Sequence, residues 1–490
     1  MRKSHLTALL AVAWMTLAAT NCGGPGATSS APAPAGSGSL VVLGTDAPLC
    51  NVYSFTATIS GITLTPQGGG SPVSVLGSGQ TMTLDFLRLM DFNTVLSLAS
   101  VPAGTYSQIT LTLASAQLTV IDVTETPPQP VPITTSLENA NVSMNLNPPL
   151  EITRNGTASL LVDFHLFRSA LTMNGQVTGA VDPVMTVSRI SQTPEHGLGR
   201  LDDLHGIVES VSTTSGNTSF IGSFNLRRGA GFAAPLTIHV TNNTEFEGAP
   251  GLNLSTLEPG SFVEVEAFVD GNGNIVAREV ELQGLVEGEG RAAFEGIVLW
   301  VDLPGQTSQF VLFVRGEHPD VSSSIPLRSA LTVNLNGATN FRIVRPGINQ
   351  ANLTFGPANL GVGQAVIAFG SYQTGTPNTL DAAGVALRPQ TLRGTFGQLL
   401  GPTPAGTTVG GFNMVPCSAL FKGQAVNVFT FADTEFYGAS DLTGLNNVTP
   451  VHAQGLLFYE PGTTTINGIT VTPPAMVMEA RRVAQRPAND

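Results

Sequence analysis

The residues best spaced for chemistry are carboxylates. Asp270-Gly271-Asn272-Gly273-Asn274 sets oxygen ligands at the first, third and fifth positions of a loop, with Glu281 at the twelfth, as a calcium site would. Against this, Ile275 stands where the sharp turn of such a loop wants glycine, and Arg278 holds the ninth position. A Gly/Asn/Asp hairpin turn accounts for every residue without a metal. Glu264 with Glu266, and Glu279 with Glu281, alternate along strand-like sequence, so each pair shares one face. An acid/base site could be drawn from them. The expectation is instead a solvated face, with Val263, Val265, Val280 and Leu282 pointing inward. His165 stands two residues from Asp163 and could face the same way, but a partly exposed strand histidine is expected. Gly288-Glu289-Gly290-Arg291-Ala292-Ala293 spells G-x-G-x-x-A, yet strand-like sequence follows where a dinucleotide site starts a helix. The chain has no G-x-S-x-G elbow, H-E-x-x-H helix, Walker loop or C-x-x-C. Its histidines other than His5 fall one per strand or loop. No catalytic, cofactor-binding or metal residue is assigned, no cofactor is expected, and the chain is expected not to be an enzyme.

One cysteine does carry a chemical expectation. Arg2 and Lys3 precede an apolar stretch from Leu6 to Ala19, the order of a secretory signal, and the stretch is too short to span a bilayer. Leu17-Ala18-Ala19-Thr20-Asn21-Cys22 then resembles a bacterial lipobox, which implies lipidation of Cys22 as the mature N-terminus. Ordinary cleavage near Ala19, leaving a plain thiol, is the alternative. Gly23 to Ser39 is rich in Gly, Ser, Ala and Pro and uncharged, which suits a flexible tether. Gly23 is not the Asp that retains many lipoproteins at the inner membrane, so the resemblance implies the outer membrane. Cys50 and Cys417 remain, far apart and without paired spacing. An oxidising compartment would tolerate their disulfide, but free buried thiols are expected.

Positioning any such residues falls to strands. The chain has 490 residues with 54 glycines and 33 prolines, together about 18% against an average near 12%. That much punctuation disfavours a helical bundle, while 42% hydrophobic residues supply several cores. Net charge is −13, lysine occurs only at Lys3 and Lys422, and no basic run exists. Nucleic acid is therefore an unsuitable partner. From Leu40 onward, short Val/Ile/Thr/Phe runs alternate with turn residues, as in sandwiches and barrels. Tyr53 to Leu64 buries Phe55, Ala57 and Ile59 on one face by this pattern, and Ile109 to Leu113 repeats it. Leu84 to Leu98 is the one helix-like stretch. The second half repeats. His205-Gly206-Ile207-Val208, Glu295-Gly296-Ile297-Val298 and Arg393-Gly394-Thr395-Phe396 each open a unit. Thr244-Glu245-Phe246, Thr339-Asn340-Phe341 and Thr434-Glu435-Phe436 follow, their phenylalanines 95 residues apart each time. Ala277 to Val280, Ala382 to Val385 and Ala480 to Val483 close the units as Ala-x-x-Val. Gly260-Ser261-Phe262-Val263 and Gly363-Gln364-Ala365-Val366 lead into a central strand, a place taken by Val451-His452-Ala453-Gln454 in the third unit.

The N-terminal unit has a Thr45-Asp46-Ala47-Pro48 opening, a Val101-Pro102-Ala103-Gly104-Thr105-Tyr106 element, then Val162-Asp163-Phe164 and Pro183-Val184. These resemble domain of unknown function 4382, found in exported bacterial proteins and lipoproteins. The repeats are similar, more weakly, to domain of unknown function 5666. Neither resemblance implies a catalytic residue. The expected fold class is all-β, an N-terminal β-sandwich-like domain followed by three small antiparallel β-barrel-like repeats. The expected organisation is a signal peptide at 1–21, tether at 22–39, sandwich at 40–190, and repeats at 201–284, 291–390 and 391–487, with few contacts between repeats. The expected role is a non-catalytic envelope or cell-surface lipoprotein for binding or display, periplasmic or surface-facing on the outer membrane. Its expected partners are the membrane, through lipid on Cys22, and a glycan or envelope component. The alternative is an extracellular glycan-binding accessory protein. Mature tryptophan is limited to Trp300, whose Val-rich surroundings read as core.

Overall fold

A computed structural model describes residues 36–485, apart from 47–49, 78, 90–91, 174–175, 195, 215–218, 230–231, 233, 287–289, 345–347 and 405. The signal peptide, Cys22 and most of the tether lie outside the described residues. So do Gly288 and Glu289 of the glycine motif.

Alternation along the first strand, Ser37–Asp46, sets the plan of the N-terminal domain. Leu40 and Val42 enter its own core with Phe55, Ala57, Ile59, Leu160 and Phe164. Val41 and Leu43, on the opposite face, join the core of the first barrel. A strand buried on both faces reads as an unbroken apolar run, which is what Leu40 to Leu43 is. That strand pairs in parallel with Thr157–Phe164 and antiparallel with Thr94–Pro102. The facing sheet is built on Ser54–Pro66 paired with Gly104–Asp122, where Ile62 meets Leu111 and Leu64 meets Ile109. Tyr106 Oη donates to the Pro102 carbonyl at 2.7 Å, so the Pro-Ala-Gly-x-Tyr element is a strand corner locked by its own tyrosine.

Leu84 to Leu98 is not one helix. Met82–Asp85 is a strand, Phe86–Leu89 a single 3-10 turn, and Thr94–Pro102 a strand again. Asp85 stops the helical reading, because its Oδ1 accepts the backbone N–H of Leu87 and of Phe55, each at 3.1 Å.

Three rings follow, all with one connectivity around five main strands, the first two with a short sixth strand, Glu245–Glu247 and Asn340–Ile343, paired with the last. In the third, Gln390–Leu399, Gly410–Pro416, Val426–Tyr437, Val451–Glu460 and Ala475–Gln485 close a barrel in the order first, second, third, fifth, fourth. The rings starting at Arg200–Thr213 and Arg291–Val301 have the same order, closed by parallel pairing of third and fifth strands. This order is that of the OB barrel.

The repeated motifs make the closures. Thr244, Thr339 and Thr434 each donate Oγ1–H to the carbonyl of Ala277, Ala382 and Ala480, at 2.8, 2.8 and 2.7 Å. Each hydroxyl also accepts the N–H three residues back, from Thr241, Asn336 and Phe431. The phenylalanines that mark the repeat are only half-buried. The threonine is the clasp. The opening glycines lie where strands cross closely: a Cβ on Gly296 would sit 1.9 Å from the Phe313 carbonyl oxygen, and one on Gly206 2.3 Å from that of Arg227. These glycines also correct one alignment. Gly206, Gly296 and Gly394 pair with Val263, Val366 and Val451, so Val451 matches the valine of the other repeats rather than their glycine.

The rings do not stand apart as the expected modules would. Residues 36–490 form one compact unit. Phe429, Leu456, Phe458 and Val477 of the third ring share a core with Phe294, Phe310 and Leu387 of the second. Ile207 and Phe262 of the first ring pack with Ile367 and Phe369 of the second. Cys50 and Cys417 form a disulfide, with 5.5 Å between Cα atoms, between the sandwich and the third ring. Their separation in sequence suggests free thiols, but the packing of the third ring on the sandwich brings the two together across 367 residues. Among the described residues no helix is long and apolar enough to cross a membrane.

Candidate functional site

Charge gathers where the sandwich and the first two rings meet. The residue just before each opening glycine supplies part of it: His205, Glu295 and Arg393 hold the same repeat position. Two strand positions ahead of the inter-ring core residue Ile207, His205 lies on the outward face of its ring, and it is buried at the junction. Arg88 comes from the 3-10 turn of the sandwich. Phe86 anchors that turn with its ring centroid 4.7 Å from Phe164, and Asp85 ties it to the second ring through Arg315 Nε at 3.1 Å.

Arg88 Nη2 donates to Glu295 Oε2 at 2.5 Å and lies 2.6 Å from His205 Nε2. His205 Nε2 is 2.9 Å from the same carboxylate oxygen. Arg388 Nη1 donates to Glu295 Oε1, and its Nε lies 3.7 Å from Glu264 Oε2. Burial alone would push the Glu295 carboxyl up, but Arg388, Arg88 and His205 together pull it well below the usual range. His318 stacks near His205, with centroids 4.9 Å apart. Its burial, with His205 and Arg88 alongside, holds it well below the usual histidine range, and so it is neutral. Glu317 is pushed up to about 8 by burial and by Asp320. Arg228 is pushed down to about 9 by burial. It lies 3.7 Å over the Phe232 ring and donates to the Val95 carbonyl at 3.1 Å.

His205, Glu295 and His318 bring donor atoms within 4.8 Å of one another, close enough for three ligands of a metal. The guanidinium of Arg88 already sits between two of them, and a second cation there would meet direct repulsion. The histidines are thus not all dispersed: 113 positions separate His205 from His318 in sequence, and the ring topology brings them together. Glu264 and Glu281 are buried, not solvated as expected, because the second ring covers their face. Glu266 pairs with Arg200 and approaches Arg481 at 3.6 Å. Val263, Val265 and Val280 do point inward.

Two cavities flank the cluster. One of about 140 Å³ is lined by Arg88, Arg315, Arg388 and Arg393 together with apolar residues that include Ile297, Leu420 and Phe421. The other, about 80 Å³, shares Arg88 and Arg315 and adds Arg228, His205 and His318.

The other sequence candidates sit elsewhere. Asp270 spends Oδ1 on the N–H groups of Asn272 and Asn274, both at 2.8 Å, and Oδ2 on Asn274 Nδ2, so the segment is a hairpin turn. Gly273 takes φ +84° there. His165 is buried rather than partly exposed and faces Thr186 Oγ1 at 3.0 Å. Trp300 is half-buried beside Leu299 and Tyr53.

Residues 37–178 match the model of a domain of unknown function (DUF4382), and residues 205–281 match a second (DUF5666). No curated protein matches the chain. Among solved structures, "drosophila Unr CSD456" is 11% identical, covering 58% of this chain and 96% of its own, with a TM-score of 0.13, too slight a likeness to bear on fold or function. The chain is thus similar to DUF4382 across its sandwich and to DUF5666 across its first ring, and neither description names an activity.

Proposed function

We propose that this chain is a non-catalytic envelope lipoprotein that binds a partner or ligand outside the cytoplasm, held to the outer membrane through Cys22. The observation that carries the binding half is the arginine-lined cavity at the junction of three β domains. What supports the absence of catalysis is the state of the groups beside it. Glu295 is a fixed anion between two guanidiniums, so it neither gives nor takes a proton near neutral pH. His318 is neutral and buried, with no hydrogen-bond partner on either ring nitrogen. The anchor half rests on the apolar stretch, Cys22 and the uncharged tether.

Expression in a diderm bacterium tests the anchor. The wild type should fractionate with membranes and take up labelled palmitate, and Cys22→Ala should do neither. Equal behaviour of the two would remove the anchor. A panel of glycosidase, esterase, peptidase and phosphatase substrates tests the rest, where turnover that follows the protein through purification would overturn the non-catalytic reading. The same protein should be offered glycans, since glycan binding is the alternative role.

A further inference from the structure

We propose that the smaller cavity at the junction holds a small planar oxyanion, of the size of formate or nitrate, against the guanidinium of Arg228. The assignment does not depend on what the larger cavity binds.

A buried cation without a counter-ion carries it. Arg88, Arg228 and Arg315 all line this cavity. Arg88 is held by Glu295 and Arg315 by Asp85. No carboxylate among the described residues pairs with Arg228. Its contacts are the Val95 carbonyl, which accepts from Nη1 at 3.1 Å, and the Phe232 ring at 3.7 Å, itself part of the cavity wall. Its Nε is buried with no hydrogen-bond partner. Burial pushes this guanidinium down to about 9, so it is still a cation at neutral pH. An unpaired buried charge is costly, and a bound anion offsets that cost.

The acids of the wall do not fill the role. Asp85 gives Oδ2 to Arg315 Nε and Oδ1 to the N–H groups of Phe55 and Leu87. Burial and Asp320 push Glu317 up to about 8, so it is protonated at neutral pH and neither neutralises Arg228 nor repels an anion. Arg328 adds a further cation beside the wall, with Nη1 3.2 Å from Thr56 Oγ1. Arg315 Nη2 and Arg88 Nε are buried without partners, like Nε of Arg228. Buried guanidinium N–H groups are rarely left unmet, so this wall is short of acceptors.

Size and shape narrow the anion. The space is about 80 Å³, and a cavity of about 150 Å³ takes the six carbons of benzene. By that measure there is room for about three or four heavy atoms. A guanidinium presents its donors as a flat fork, which a planar oxyanion meets with two oxygens at once. Chloride meets the fork at one point, and phosphate is bulkier and more highly charged.

Formate is the carboxylate probe and nitrate the inorganic one, titrated into the full-length chain in detergent at constant ionic strength. Calorimetry and the melting temperature are the readouts. At least one probe should bind saturably with a dissociation constant below about 10 mM, and the tighter of the two marks the ligand as a carboxylate or an inorganic oxyanion. The melting temperature should rise as the concentration of that probe passes its dissociation constant. Formamide keeps the shape of formate without the charge, and chloride keeps the charge without the planar pair of oxygens; each should bind at least about tenfold more weakly. Binding of neither probe, or an equal response to formamide or to chloride, would overturn the proposal without any variant. Arg228→Met removes the unpaired cation and keeps an apolar stem against Phe232. It should still melt in one transition and lose the rise that the probe gives the wild type. A folded Arg228→Met that binds the probe unchanged would overturn the proposal too. Failure here leaves the lipid anchor and the larger cavity as they stand, since palmitate labelling and glycan binding test those separately.

Discussion

Glu295 sits at the centre of the junction, and its partners decide what its removal would do. Replacing it with Gln leaves Arg88 and Arg388 facing each other without their shared counter-ion. Breaking one partner of such a buried network costs roughly 3–5 kcal/mol, and Glu295→Gln should show that loss in urea denaturation near neutral pH. A loss within that of a surface substitution would mean that the ion pairs are incidental. Glu295 and its neighbour Glu317 also respond oppositely to pH. The Glu295 carboxyl is depressed, so its contribution is complete above the ordinary carboxylate range and is lost as pH falls through its folded value. Glu317 is raised to about 8, so the folded chain holds a proton that the unfolded chain has released. Its contribution is present below the ordinary range and is lost as pH rises toward 8. Gln mimics the protonated form. Glu317→Gln should therefore melt like the wild type near about pH 4 and above it by a margin that grows until about pH 8. A margin independent of pH would show that Glu317 is ionised in the folded chain.

Strands and their closures were largely legible in the sequence, and the reason is local. Thr-x-Phe and Ala-x-x-Val recur because one hydroxyl must reach one carbonyl in every ring, a constraint that fixes residue type and spacing together. Thr339→Val keeps the shape and removes both bonds, and should cost about 1–3 kcal/mol. The glycines predict a sharper contrast. Gly296→Ala drives a methyl into the Phe313 carbonyl and should cost at least about 1–3 kcal/mol, whereas Gly337→Ala points into open space and should stay within about 0.5 kcal/mol. Equal effects would mean that the first and second strands separate freely. The 3-10 turn at Phe86–Leu89 was not legible, because its apolar spacing also fits a helix and only Asp85, bonding across to Phe55, tells them apart. The junction was half legible. The polar residue ahead of each glycine was visible in the repeats, but nothing local says that His205, Glu295 and Arg88 converge.

At the scale of the molecule, sequence periodicity suggests beads on a string, and packing replaces that with one body. Repeats read along the chain report each ring's interior; they are silent on outer faces, where Ile207, Phe262, Ile367 and Phe369 bury one ring against the next. The disulfide adds a covalent tie across 367 residues of sequence, between the loop before Tyr53 and the end of the third ring's second strand. Tyr53 Oη lies 2.8 Å from Ser418 Oγ and accepts the N–H of Leu420, so the tie is backed by polar contacts at the wall of the larger cavity. Shared cores predict that residues 36–490 melt in a single transition, not in four. The covalent tie predicts more. Cys50→Ser with Cys417→Ser should retain the fold through the core that the second and third rings share, and lose about 2–5 kcal/mol, because the denatured chain is no longer held in a long loop. That loss should appear as a lower denaturation midpoint of the same one transition, with a steeper slope because the unlinked denatured chain exposes more surface. Limited proteolysis of the same variant should show no early cut between the second and third rings near Gln390, since Phe429, Leu456 and Phe458 remain interlocked with Phe294 and Phe310. Early release of residues 391–490 as an intact, folded fragment would show instead that the disulfide, and not the common core, joins the third ring to the rest.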